Sequence, residues 1–316
     1  MSEAEDEATK NDRWTVPEPL TTREAHMEDG ASILLRRHGN PDGIRIVLSH
    51  ANGFAADTYY PFWSLLMNRF DIVVFDFRNH GWNDVGPLDS HSIPTFVRDI
   101  TQVAREIESY FGPKPVIGVF HSMSAQVAMI EASTRESSFE GLVLFDPFVC
   151  PQGCDPIQKE RLMKTMQSMV NAARRRRASF ESREFLADRL RKAPAFDRLR
   201  PGVVELIAQT TTRLADDNAS YILRCLPEYE ARIAEQGYRF ASSVNVDALS
   251  CPVKVIGSDP VMPHSYMPTV AMNEILALDY DFLPDTTHFL QLEEPEACVL
   301  AMLSLKRRDG VATFAV

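Results

Sequence analysis

Pro115-Val116-Ile117-Gly118-Val119-Phe120-His121-Ser122-Met123-Ser124 is the stretch that decides the fold. PVIGVF is apolar on both faces, as a strand buried inside a parallel sheet must be. A Ser then sits on the turn, and Met123–Thr134 follows at once as a helix. A strand–Ser–helix turn of this kind is the setting of a nucleophile elbow. It strains the Ser backbone, lifts Oγ above the sheet edge and leaves the next N–H free at a helix start. The usual small residues two before and two after the Ser are replaced here by Phe120 and Ser124. An ordinary turn with a helix-capping Ser is the competing reading.

The same alternation extends outward. Ala31–Arg37, Ile44–Ser49, Asp71–Phe77 and Gly141–Phe145 read as strands, and Thr58–Arg69 and Ser92–Phe111 as helices. Repeated β-α-β units imply a parallel sheet covered on both faces. From about 151 to 248 no buried strand is visible, and the stretch reads as several helices. Alternation resumes with strand Pro252–Ile256, helix Met267–Leu278, strand Tyr280–Leu283 and helix Glu294–Lys306. The layout expected is a flexible tail over 1–20, an α/β core made of 21–150 and 249–316, and a helical insertion over 151–248.

Composition narrows the function. Lys and Arg number 33 against 44 Asp and Glu, a formal charge of −11. That argues against a nucleic-acid binder, which needs a dominant basic field. The five cysteines are irregularly spaced, and Cys150-x3-Cys154 has no second pair at metal-site spacing, so neither a disulfide framework nor a metal is expected. No apolar run is long enough to cross a membrane, and the acidic start lacks the features of a signal peptide. The expectation is a reduced, cytoplasmic protein without membrane insertion, acting on a small molecule without a cofactor; a homodimer is left open.

Three further segments sit where a Ser nucleophile needs partners. Ser49-His50-Ala51-Asn52-Gly53-Phe54 follows a strand and offers the N–H of Asn52, beside that of Met123, as an oxyanion hole. His288, in Asp285-Thr286-Thr287-His288-Phe289 after the last strand, is the candidate base. The acid orienting it is expected to be Asp259, in Gly257-Ser258-Asp259-Pro260, with Asp146 of Phe145-Asp146-Pro147 as rival. Both acids stand at carboxyl ends of strands, where such sheets build their sites. His50 and His121 are read as structural. Arg174–Arg177 reads as a solvated charge run, since consecutive helical residues point all around.

HANGF, Asp76-Phe77-Arg78-Asn79-His80-Gly81, FHSMS, GSDP and TTHF, in this order over roughly residues 30 to 308, resemble the α/β-hydrolase superfamily and its lidded members. The resemblance implies an α/β-hydrolase fold, with 151–248 as a helical lid inserted after the strand that follows the elbow helix. It also implies a serine hydrolase acting through an acyl-enzyme on an ester, lactone or thioester of a small, largely apolar substrate. Two alternatives stand beside it. One is carbon–carbon bond hydrolysis with the same triad, for which Arg78 is a candidate carboxylate binder. The other is a non-catalytic ligand-binding protein on this fold.

Overall fold

A computed structural model of the chain describes residues 14–149, 156–263, 278–306 and 313–314. Cys150, Cys154 and the expected helix 267–278, save its last residue, lie outside the described residues, as do residues 1–13 of the expected tail. Eleven strands are described: β1 (Thr21–His26), β2 (Ser32–Gly39), β3 (Arg45–Leu48), β4 (Asp71–Phe75), β5 (Val116–His121), β6 (Gly141–Phe145), β7 (Ser179–Phe180), β8 (Thr212–Leu214), β9 (Tyr221–Leu223), β10 (Val253–Gly257) and β11 (Asp279–Phe282). The longer helices are α1 (Ile93–Phe111), α2 (Met123–Thr134), α3 (Pro156–Arg174), α4 (Arg183–Arg191), α5 (Val203–Thr210), α6 (Pro227–Ala241) and α7 (Pro295–Leu303).

Eight strands form one sheet in the order β1-β2-β4-β3-β5-β6-β10-β11. The pairs β1–β2 and β2–β4 are antiparallel, and the rest are parallel. Strands β3, β4, β6 and β10 are buried at every position, which is why their sequences are mainly apolar rather than alternating; the charged exceptions are paired, Arg45 with Asp71 and Lys254 with Asp279 and Asp281. From β3 the chain crosses to β4 on one side and then to β5 on the other. The loops leaving β3 and β5 therefore diverge and open a crevice at their carboxyl ends. That crossing places the HANGF loop beside the Ser122 turn.

Helix α1 is amphipathic; Ser92 caps it by accepting the Thr95 N–H, and Gly112 ends it at φ 82°. Helix α2 is buried almost all round, lying between the sheet, α1 and α6. The loop after β4 turns on Gly81, at φ 49°, where an added Cβ would fall 2.0 Å from the Asp76 carboxyl carbon. Asp76 uses that closeness: it accepts from the N–H groups of Ala56 and Trp82 and pairs with Arg36.

Four local expectations differ from the structure. Thr58–Arg69 is not one helix but short turns around Tyr60–Trp63, with Pro61 at the start of the one α-helical turn. Strand β1 escaped the sequence reading because five of its six side chains meet solvent to some degree, so no apolar pattern marks it. The stretch 151–248 contains helices α3 to α6 but also a three-stranded antiparallel sheet, β7-β9-β8, whose strands of two or three residues are too short to show a period. The last part of the expected tail is anchored: Trp14 donates its indole N–H to the Pro201 carbonyl. Among the apolar residues of the insertion, Met166, Leu186, Leu190, Leu206 and Leu223 are buried, whereas Met163, Met169 and Leu214 face solvent.

The Gly81 turn yields a stability test. Gly81→Ala forces a Cβ into the Asp76 carboxylate on a backbone that already disfavours it. We expect a loss of about 3 kcal/mol in urea unfolding, against no more than about 0.5 kcal/mol for a surface substitution such as Leu300→Ala; Leu300 is 72% exposed.

Candidate active site

Ser122 sits at φ 53°, ψ −111°, the strained turn expected between β5 and α2. The strain is held from both sides: the Ser122 N–H donates to the Phe145 carbonyl, and the Gln126 N–H donates to the Ser122 carbonyl. The two unusual residues are accommodated by their neighbours. Phe120 is fully buried, with its ring against Phe139 and Phe75. Room for it comes from Gly118 on the same strand face, where a Cβ would lie 2.5 Å from the ring. Ser124 Oγ donates to the His121 carbonyl at 2.9 Å and accepts the His121 N–H at 3.0 Å, closing the turn as a clasp.

His288 reaches Ser122 from the loop after β11, with Nε2 2.9 Å from Oγ. Its Nδ1 lies 2.5 Å from Oδ2 of Asp146. A carboxylate on Nδ1 fixes the proton there and leaves Nε2 free to accept from the Ser122 hydroxyl. The expectation that Asp259 orients His288 is thus corrected: Asp146 makes the contact. Asp146 turns at φ 41° at the end of β6 and directs its carboxylate toward the histidine. Its other oxygen accepts from the N–H and hydroxyl of Ser258. Asp259 instead accepts the N–H groups of Val261 and Asp285, which hold its carboxyl below the ordinary range. Its own N–H donates to the Thr286 carbonyl. Asp259 therefore ties down the loop that carries His288 without touching the imidazole.

Met123 opens α2, so its N–H has no intrahelical acceptor. Across the crevice, the Ala51 N–H donates to Tyr59 Oη and the Gly53 N–H to His80 Nε2. These bonds fix the loop around Asn52, for whose own N–H no acceptor is found among the described residues. The Asn52 side-chain amide is not available as an extra donor, because it is spent on the Glu230 carbonyl of α6 at 2.8 Å.

A buried relay joins the three loops and was not legible in the sequence. His121 Nε2 lies 2.8 Å from the His288 carbonyl, and its Nδ1 lies 2.7 Å from Tyr59 Oη. A carbonyl only accepts, so Nε2 carries the proton, Nδ1 accepts, and Tyr59 must donate its hydroxyl proton there. Tyr59 in turn accepts from Ala51. One tyrosine and one histidine thus connect the Asn52 loop, the Ser122 turn and the His288 loop.

His80, His91 and Cys225 bring ligating atoms within 4.8 Å of one another. Both His80 nitrogens are already bonded, to the Gly53 N–H and the Arg78 carbonyl, and burial keeps the Cys225 thiol protonated. This arrangement does not amount to a metal cage. Arg78 is not available as a carboxylate binder: it is buried and paired with Asp99 and Asp29. The Arg174–Arg177 run meets carboxylates, with Arg174 on Glu228 and Glu235, Arg176 on Glu230 and Arg177 on Glu181.

A model of the alpha/beta hydrolase family matches residues 46–301. Human monoglyceride lipase is 30% identical over 113 residues, 35% of this chain and 37% of that protein. The chain thus spans little more than a third of the length of the curated relatives it matches. E-2-(acetamidomethylene)succinate hydrolase superposes with a TM-score of 0.71 at 17% identity, over 90% of this chain and 98% of the other. A thermophilic esterase from Thermogutta terrifontis superposes at 0.62 with 22% identity, over 89% and 96%. At these identities the likeness shows the fold.

The buried histidines set an acid limit on stability. Burial pushes His38 down to about 4 and His91 to about 3, and lowers His50, His80 and His121. Below pH 6.5 the unfolded chain takes up protons that these folded imidazoles refuse, so stability is full above 6.5 and falls as pH drops. Each histidine adds a slope of about 1.4 kcal/mol per pH unit in that interval. Asp57, Asp99 and Glu131, raised by burial, act in the opposite sense and offset part of it. Urea midpoints are expected to be flat from pH 7 to 8.5 and to fall steeply between 6.5 and 4; a midpoint unchanged down to pH 4.5 contradicts the assignment.

Proposed function

The chain belongs to the alpha/beta hydrolase family, and from that premise we propose that it is a serine hydrolase cleaving a carboxylic ester, lactone or thioester of a small, largely apolar substrate. The hydrogen-bonded chain from Ser122 through His288 to Asp146 carries the reading. Ser122 Oγ attacks the carbonyl carbon while His288 Nε2 takes its proton. The N–H groups of Met123 and Asn52 receive the developing oxyanion. His288 then protonates the leaving alcohol or thiol, and Asp146 stabilises the imidazolium. In the second half, His288 activates a water that attacks the acyl-Ser122 ester and frees the acid. Residues 151–248 act as the lid: α6 reaches the Asn52 loop through Glu230 and α2 through the bond from Gln126 to the Gly237 carbonyl. Phe289 meets the His288 ring edge-on, and Phe54 and Phe196 pack on Phe289; together they supply an apolar wall for the acyl or alcohol group. Carbon–carbon bond hydrolysis loses its candidate carboxylate binder, because Arg78 is fully paired.

Incubation with a fluorophosphonate, read by peptide mass, is expected to label Ser122 in wild type and nothing in Ser122→Ala. On p-nitrophenyl acetate and butyrate, Asp146→Asn should lower kcat by about 10³–10⁴-fold, while Asp259→Asn stays within about tenfold of wild type. Tyr59→Phe removes the hydroxyl that donates to His121 Nδ1 and accepts the Ala51 N–H; kcat should fall while KM holds, since the loss is one of positioning. A folded wild type that neither labels nor turns over any ester, lactone or thioester of the panel would instead favour ligand binding without catalysis.

A further inference from the structure

A second cavity, of about 240 Å³, lies between the core and the insertion, away from Ser122. Arg183, at the start of α4, and Arg224, just after β9, form part of its wall. Both are anchored on the same neutral residue. Arg183 donates to the Thr212 hydroxyl and carbonyl, and the Arg224 Nε–H donates to that carbonyl. Anchoring Arg224 through Nε leaves the terminal N–H groups of its fork free to bind. Arg183 also lies over the Tyr221 ring, 4.8 Å from its centre. Neither guanidinium has a carboxylate within ion-pair distance among the described residues.

Arg36 and His38 of β2 also line the cavity. His38 is 2% exposed, and its Nε2, without accessible surface, has no hydrogen-bond partner among the described residues. Arg36 is 1% exposed and pairs through its terminal nitrogens with Asp57 and Asp76, so its charge is already met; its Nε has no partner among the described residues. Two acids also line the cavity. Asp57 is committed to Arg36 and to the Trp82 indole N–H, and Glu18 is exposed. Burial pushes the Arg224 guanidinium down; Asp76 opposes this, and Arg183, Arg213 and Arg36 add to it, which is the mark of crowded positive charge.

We infer that this cavity binds a small phosphate-type oxyanion, either free phosphate or a phosphate monoester, held between the forks of Arg183 and Arg224. Two guanidiniums meeting one tetrahedral anion is the arrangement such groups bind best. The volume equals roughly eight water molecules at about 30 Å³ each, enough for the anion and part of its hydration. The anion would connect α4 and β9 of the insertion to β2 of the core, so occupancy should stabilise the whole molecule.

The test is calorimetric titration and thermal unfolding of the full chain with inorganic phosphate and, separately, glycerol phosphate, at constant ionic strength with chloride as control. Saturable binding and a rising Tm with phosphate are expected. Arg224→Met and Arg183→Met should each raise Kd at least tenfold, and Arg224→Lys should also weaken binding, because the charge survives and the fork does not. Arg224→Lys serves as the folded variant if Arg224→Met does not fold. Tighter binding of glycerol phosphate than of phosphate identifies a monoester site; equal or weaker binding identifies free phosphate. No saturable binding to wild type, or binding unchanged in the Arg183→Met/Arg224→Met double variant, overturns the inference. Neither outcome depends on Ser122.

Discussion

The carboxylate of Asp146 accepts from His288 Nδ1 on one oxygen and from Ser258 on the other. These bonds bring together the end of β6, the end of β10 and the loop after β11, three segments far apart in the chain. The contact fixes which imidazole nitrogen faces Ser122 and how deep the ring sits. Buried at 1% exposure, the carboxylate is shielded from water, so its hydrogen bonds are strong and costly to leave unmade. Asp259 supports the same loop through backbone N–H groups alone. One acid holds the ring and the other holds the chain that carries it.

The second constraint is the turn at Ser122. A residue at φ 53° must be over-determined by its surroundings. Here the bond from the Ser122 N–H to Phe145 and the Ser124 clasp on His121 provide that hold. The fold normally keeps small residues around this turn so that strand and helix can approach. This chain places Phe120 there and moves the small residue to Gly118, trading volume along one face of one strand. The Tyr59–His121 relay then extends the hold from the turn to the loops on either side.

Much of this was readable from residue order. The apolar strands β4, β5, β6 and β10 announce a buried parallel sheet, and the strand–Ser–helix context marks Ser122. His288 stands out because it follows the last strand. What could not be read depends on direction rather than position. Asp146 and Asp259 both follow sheet strands that lie side by side, and the difference is local: Asp146 turns at φ 41° with its carboxylate on the ring, while that of Asp259 is taken up by the Val261 and Asp285 N–H groups. Tyr59 lies in a segment that looks like a helix by its apolar spacing but is broken into short turns. Strand β1 is polar because it is an edge, and the small sheet β7-β9-β8 is shorter than any period. Arg78, attractive as a ligand-binding cation by motif, is consumed by two aspartates that sequence does not place near it.

The most direct test is the imidazole proton NMR spectrum of the resting protein. A proton held between His288 Nδ1 and a buried carboxylate resonates far downfield of ordinary imidazole protons. Such a resonance is expected in wild type, is lost in Asp146→Asn and is retained in Asp259→Asn. A resonance that survives Asp146→Asn and disappears in Asp259→Asn would contradict the assignment of Asp146.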